Sequence, residues 1–209
     1  MSVHVGGRGV LFVLSAPSGT GKSTVARRLL ERVPEMAFSV SFTTRPIRAG
    51  ERDGHDYHFV ERPAFERMVA DGAFLEWAAV FDQLYGTGRA ATAAALDAGR
   101  PLLLDVDVQG ARQVRDAGVP SVAVMLLPPD YATLVARLER RASESDAERA
   151  GRLRRARREA EDYRLFDYVV VNSDVGETVE QLASIVRAEG RRTGRCTEQA
   201  ERILATFPP

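Results

Sequence analysis

Short, wholly apolar runs alternate along this chain with stretches in which apolar side chains recur every three or four positions. That is the pattern of buried strands joined by amphipathic helices. Residues 10–15 are too short and too continuous for an amphipathic helix and predict a first strand. A loop at 16–21 leads into a predicted helix at 22–33, with Val25, Leu29 and Val33 on one stripe and Pro34 as its stop. Strand-type runs return at 101–105, 121–127 and 168–171, the second halted by Pro128 and Pro129. Helices are predicted at 111–117, 131–141 and 178–189, with a charge-dense stretch from 143 continuing as a long helix to about 163, and a last helix at 200–207. Strands and helices in this alternation imply an α/β fold, a parallel sheet covered on both faces.

Two segments, 39–100 and 137–163, break the rhythm and carry most of the arginines and tyrosines. In the first, β-prone runs at 38–43 and 57–60 bracket a charged turn at 45–56, followed by a helix at 63–71 with proline at an early position. The run 74–81 is apolar except for Glu76, and an alanine-rich helix at 89–98 ends at Gly99. Both segments read as insertions into a core of 9–38, 101–136 and 164–189. Residues 1–8 read as a flexible tail and 190–209 as an extension.

The 209 residues suffice for one α/β domain with a real core. Formal net charge is zero, so no global basic field argues for nucleic acid or an anionic membrane as partner. No apolar run approaches the ~18 residues of a membrane span. The N-terminus lacks a cleavable signal pattern, which predicts a cytoplasmic protein. A single cysteine, Cys196, excludes an internal disulfide, and three histidines with one cysteine make no zinc set. Of the 29 lysines and arginines only Lys22 is a lysine. A compact ammonium on a flexible stem, kept at one place in an arginine-using chain, marks that place as special.

That place is a phosphate loop. Ala16-Pro17-Ser18-Gly19-Thr20-Gly21-Lys22-Ser23-Thr24 follows a strand and opens a helix, the context in which a P-loop motif carries weight. Loop N–H groups and the helix N-terminus make an anion nest. Lys22 can reach the β- and γ-phosphates of ATP, and the Ser23 hydroxyl can ligate Mg²⁺. Ala16 stands where the usual pattern has its first glycine. Asp105, ending a buried strand, can hold the same Mg²⁺ through water.

Residues 39–51 (Ser-Val-Ser-Phe-Thr-Thr-Arg-Pro-Ile-Arg-Ala-Gly-Glu), followed by Asp56-Tyr57, are more specific. With Phe74-Leu75-Glu76-Trp77, Tyr85-Gly86-Thr87, 104–110 (Leu-Asp-Val-Asp-Val-Gln-Gly) and Val170-Val171-Asn172 they run in the order of one family. From about residue 9 to 189 the chain resembles the guanylate kinases, P-loop enzymes that move the γ-phosphoryl group of ATP onto GMP. The resemblance implies a P-loop core with an inserted nucleotide-binding subdomain (39–100) and a mobile lid (137–163). It implies ATP and GMP as substrates, with dGMP also accepted, in purine nucleotide salvage and GTP and dGTP supply.

The residue chemistry agrees. Arg45 and Arg48 offer rigid forks of N–H groups to a phosphate, and the Tyr57 and Tyr85 hydroxyls add donors. Guanine presents N1–H and its 2-amino group side by side, and Glu76 is the natural acceptor for that pair; adenine would leave the carboxylate unpaired. The resemblance further implies Ser41, Thr87 and Asp107 around the base, with Thr87 offering its hydroxyl to O6. It implies Arg137, Arg141 and Arg152 as lid arginines over the ATP phosphates; Arg137 and Arg141 lie four apart, on one helix face. Arg140, Arg149, Arg154, Arg155, Arg157 and Arg158 crowd the same stretch and read as a solvated helical face. Asn172 matches an adenine-side asparagine and equally a turn asparagine. No general base is needed, because a phosphate acceptor is largely dianionic and already nucleophilic.

Two other readings compete. A kinase of a phosphorylated ribose, such as ribose 1,5-bisphosphate, has no need of a guanine reader such as Glu76. A kinase-like module that only holds a phosphopeptide has no need of Lys22 and Ser23. Monomer and homo-oligomer are both left open.

Overall fold

The computed structural model describes residues 8–80, 82–139 and 146–208, with 146–149 described by backbone alone. Of the expected N-terminal tail, residues 1–7 lie outside the described residues. β1 (Leu11–Ser15), buried at every position, takes the centre of a five-stranded parallel sheet. β7 (Leu102–Asp105) and β2 (Ala37–Phe38) lie to one side of it, β8 (Ser121–Leu127) and β9 (Tyr168–Val171) to the other. Because both faces are covered, these strands read as continuous apolar runs rather than alternating ones.

One face packs Phe12 and Leu14 against α1 (Lys22–Arg32) and α7 (Val175–Glu189), through Val25, Leu29 and Leu182. The other packs Leu11, Val13 and Leu104 against Leu96 of α3 (Arg89–Asp97) and Val114 of α4 (Val108–Asp116). The register sets Leu14 opposite Asp105, so the carboxylate that ends β7 stands beside the point where β1 becomes a loop.

A second sheet, in the order β4-β3-β6-β5, is built from β3 (Phe42–Thr43), β4 (His58–Phe59), β5 (Phe74–Val80) and β6 (Gln83–Gly88). Ser39 still bonds the first sheet, through its N–H to the Leu103 carbonyl at 2.9 Å, whereas Phe42 already pairs with Gly86 of the second. The β-prone run at 38–43 is thus two short strands in two sheets. α2 (Arg62–Ala70) covers the second sheet, with fully buried Phe65 stacked on Phe74.

No strand was predicted at Gln83–Gly88, where Gly86 and Gly88 lower strand propensity. β6 forms there because tertiary packing overrides propensity. A side chain at Gly86 would meet Phe74, Phe65 and Trp77 at 3.0–3.1 Å, so glycine is what lets those rings close over the strand. α4 begins at Val108 rather than 111, and α7 at Val175 rather than 178. In each case an aspartate just ahead caps the helix: Asp107 accepts from the Gly110 N–H at 2.8 Å and Asp174 from the Glu177 N–H at 3.0 Å.

α5 (Tyr131–Glu139) and α6 (Asp146–Glu161) pack through Leu134, Leu138, Leu153 and Ala156, and α6 runs on into a 3-10 turn at Asp162–Leu165. α8 (Thr193–Leu204) starts earlier than the helix expected at 200–207. Its root is tied by Arg192, which forks Glu189 at 2.7 and 2.8 Å, while Glu189 also accepts from the Tyr168 hydroxyl at 2.5 Å. Among the described residues no helix is long and apolar enough to cross a membrane.

Candidate active site

The loop after β1 is shaped by two glycines in left-handed backbone, Gly19 at φ 90° and Gly21 at φ 96°. Neither tolerates a side chain. A Cβ at Gly19 would lie 2.8 Å from Leu138 and one at Gly21 would lie 2.9 Å from Asn172. Between them Thr20 is buried and folds the loop on itself, its hydroxyl donating to the Pro17 carbonyl at 2.7 Å. Lys22 then opens α1. Its ammonium pairs with Asp105 Oδ1 at 2.6 Å and donates to the Val106 carbonyl at 2.5 Å. Ser23, the next residue, is exposed at the helix start.

Four residues from elsewhere brace this loop. Arg137, on α5, donates to the carbonyls of Thr20 and Asn172, both at 3.0 Å. Arg152, on α6, donates to Ser18 Oγ at 3.0 Å, and the Ser18 N–H donates to Glu159 at 3.3 Å. Asn172 is 2% exposed; its amide donates to the Thr20 carbonyl at 2.7 Å and accepts from Thr178 at 3.2 Å. The structure therefore places Asn172 behind the loop, as a tie between β9, α7 and Thr20. Arg137 and Arg152 hold loop atoms directly. Arg141 and Arg140 lie outside the described residues, as does the side chain of Arg149.

The charged turn folds around Arg45. Its guanidinium forks Glu51, at 3.0 Å to Oε2 and 2.7 Å to Oε1, and lies over the rings of Tyr57 and Phe59 at 5.5 and 5.6 Å. Glu51 raises Arg45 above the usual guanidinium range, and Arg45 holds Glu51 below the usual carboxylate range. Tyr85 raises Arg45 a little further, and the Tyr57 and Tyr85 rings meet edge to face at 5.9 Å. Burial pushes the Tyr57 hydroxyl up, so it stays a donor. Arg48 is exposed, with its N–H donating to Glu51 at 2.8 Å. Ser41 is half-buried, its carbonyl accepting from the His58 N–H at 2.9 Å. His58 stacks on Phe42 and has a packing role.

Glu76 sits on β5 with 7% exposure, opposite Thr87 in the register of β6. The Thr87 hydroxyl donates to Oε1 at 2.6 Å. Burial pushes the Glu76 carboxyl up; the Thr87 bond pulls it back, Asp107 raises it and Lys22 lowers it. A hydrogen bond to a charged group contributes about 1.5–3 kcal/mol, whereas burying a carboxylate costs several kcal/mol. Among the described residues no cation pairs with Glu76, and its hydrogen-bond donors all come from Thr87, which leaves Oε2 open to a further donor. Asp107 lies close by with one oxygen on the Gly110 N–H and the other 3.7 Å from Arg155 of α6. Lys22 holds the Val106 carbonyl, and Gly110, whose Cβ would touch both Val106 and Glu76 Oε2 at 3.0–3.1 Å, links that point to the second sheet, so the sheet and the phosphate loop look onto one cleft.

Three participants were missed in the sequence. Glu51 closes the quoted acceptor motif yet was given no role, although an acid six residues after Arg45 in a Gly-containing turn is a readable signal. Arg155 was assigned to the solvated face of its helix. Gln113, on α4, bonds the backbone of Trp77 and carries no motif at all.

Known proteins agree with this geometry. The family model described as guanylate kinase matches residues 8–189. A guanylate kinase of Rhodopseudomonas palustris is 50% identical over 183 residues, 87% of this chain and 83% of that one. A guanylate kinase of Sphingopyxis alaskensis is 50% identical over 189 residues, 90% and 86% of the two chains. The crystal structure of guanylate kinase from Anaplasma phagocytophilum superposes with a TM-score of 0.75 at 35% identity, covering 99% of each chain. On sequence, fold and loop geometry together, the chain belongs to the guanylate kinase family.

Proposed function

We propose that this chain transfers the γ-phosphoryl group of ATP to GMP, giving ADP and GDP, with dGMP as a second acceptor, in the cytoplasm. The observation that carries the reading is the buried, donor-poor carboxylate of Glu76 sharing a cleft with the Lys22 loop. A base with two adjacent donors supplies what Glu76 lacks. Among the common bases guanine has that edge.

ATP lies with its phosphates along the loop N–H groups, and Lys22 shares its ammonium between Asp105 and the β- and γ-phosphates. GMP lies on the second sheet, its base against Glu76, Thr87, Ser41 and Asp107. Its phosphate meets Arg45, Arg48, Tyr57 and Tyr85. Glu51 fixes the Arg45 fork, so less side-chain entropy is lost when the phosphate arrives. The acceptor oxygen attacks in line while Lys22 and arginines of α5 and α6 spread the developing charge.

The donor set also fits Mg²⁺ carried by a nucleotide. Ser23 Oγ and, through water, Asp105 are hard oxygen donors beside the phosphate position. Among the described residues no group of three or more acidic, histidine or cysteine side chains forms a self-contained metal cage. Held by Ser23 and Asp105, Mg²⁺ would supply neutralisation of phosphate charge during transfer. Residues 39–100 act as the acceptor subdomain and 137–163 as the lid, which excludes water from the transferring group.

A coupled ADP-release assay with ATP and each of GMP, dGMP, AMP, CMP and UMP tests the reading. Turnover with GMP and dGMP far above the others is expected. Equal use of all five, or of none, overturns it.

A further inference from the structure

β5 is the edge of the second sheet, paired on one side with β6 and, among the described residues, unpaired by any strand on the other. Its ladder is irregular between Phe74 and Glu76, where the register shifts. Such a shift re-aims side chains and loosens the pairing that would otherwise set their direction. The shift falls immediately before Glu76, whose direction decides what a base can offer it.

A side-chain amide takes the place of the missing neighbouring strand. Gln113 Oε1 accepts from the Trp77 N–H at 3.0 Å, and Gln113 Nε2 donates to the Trp77 carbonyl at 2.9 Å. A primary amide presents the same donor and acceptor pair as a peptide unit, so both outward backbone groups of the residue after Glu76 are held by one side chain. Gly110 is one turn earlier on the same helix face. A Cβ there would lie 3.1 Å from Glu76 Oε2, so the helix backbone passes directly behind that carboxylate. The spacing between α4 and β5, which Gln113 sets, is therefore also the spacing in which the carboxylate must sit.

We propose that Gln113 is a positioning residue for base recognition: by clamping Trp77 it holds β5 and the Glu76 carboxylate at the angle that accepts both guanine donors. The proposal rests on Glu76 as the guanine reader. α4 then serves both substrates' surroundings. Its capping residue Asp107 faces Arg155, while Arg112 pairs with Asp162 and Arg115 donates to the Leu165 carbonyl, both just beyond α6.

Gln113→Ala, Glu76→Gln and the double variant test it, by kcat and KM for GMP and for ATP, with circular dichroism on each. Gln113 is partly solvent-accessible, so water replaces the lost bonds in part. The expected rise in KM for GMP is about 3- to 10-fold, with KM for ATP unchanged. In the Glu76→Gln background the effect of Gln113→Ala should largely vanish, since both act through one contact. Equal changes for ATP and GMP, no change for GMP, or full additivity with Glu76→Gln would overturn the positioning role. If Glu76→Gln alone leaves GMP use unchanged, the reader assignment fails first and the proposal falls with it.

Discussion

Lys22 is held between a carboxylate and a carbonyl, Asp105 and Val106, at the mouth of the phosphate loop. A flexible stem lets the ammonium swing from these partners to phosphate oxygens without moving the backbone. Lys22→Met should therefore keep the fold and lower kcat by about 100-fold or more, measured with circular dichroism on the same sample. Near-normal kcat would remove Lys22 from the transfer step. Glu76 makes a different prediction, about stability. Its folded pKa is raised by burial above the ordinary 4.5, so the folded protein holds that proton at higher pH than the unfolded chain does. The group's contribution to stability is full below the ordinary value and is lost as pH rises through the raised one. Glu76→Gln is neutral throughout and escapes that loss. The unliganded variant should melt higher than the parent near pH 7, and the gap should close as pH falls toward 4.5. A gap that stays constant with pH would mean that the carboxylate is not strained by burial.

At the scale of elements, the charged turn at 45–56 is assembled around Arg45 before any ligand arrives, which suits the phosphate-receptor role proposed for it. Arg45 is built into it by Glu51, Tyr57 and Phe59, whereas Arg48 stands exposed at its rim. Replacing either by alanine should raise KM for GMP far more than KM for ATP. The Arg45 variant should also lose more stability, because it leaves Glu51 without its fork. An equal loss of ATP affinity in both variants would move this turn out of the acceptor site. Elements of this kind were legible where chemistry is local. β1, the glycine loop and β8 follow directly from apolar runs and a motif, and the place of Asp105 beside the loop follows from a carboxylate ending a buried strand, whereas its ion pair with Lys22 does not. β6 was not legible, because its glycines argue against a strand until the rings of Phe65 and Phe74 are in place. The helix starts at Val108 and Val175 were missed because apolar periodicity begins after the capping aspartates. Gln113 and Arg155 could not be read at all: each acts through a partner 36 or 48 residues away, a distance that no local pattern encodes.

In the whole molecule, two sheets face one cleft, the parallel one presenting the phosphate loop and the mixed one presenting Glu76, Arg45 and the tyrosines. α5 and α6 reach both, through Arg137 and Arg152 to the loop and through Arg155 to Asp107. Binding at one side can thus be felt at the other through short chains of contacts rather than through a distant relay. The central claim is that this cleft moves phosphate from ATP to a guanine nucleotide because Glu76 reads the base. The most direct measurement is kcat/KM for GMP and for AMP, with saturating ATP, in the parent chain and in Glu76→Gln. The parent should prefer GMP by orders of magnitude. Glu76→Gln turns half of the acceptor pair into a donor facing guanine's own donors, which should cost roughly 2–4 kcal/mol, about 30- to 1000-fold in kcat/KM for GMP. AMP should gain slightly, since glutamine can donate to its N1, and ATP binding should not change. A GMP to AMP ratio that is the same in both proteins would contradict the account.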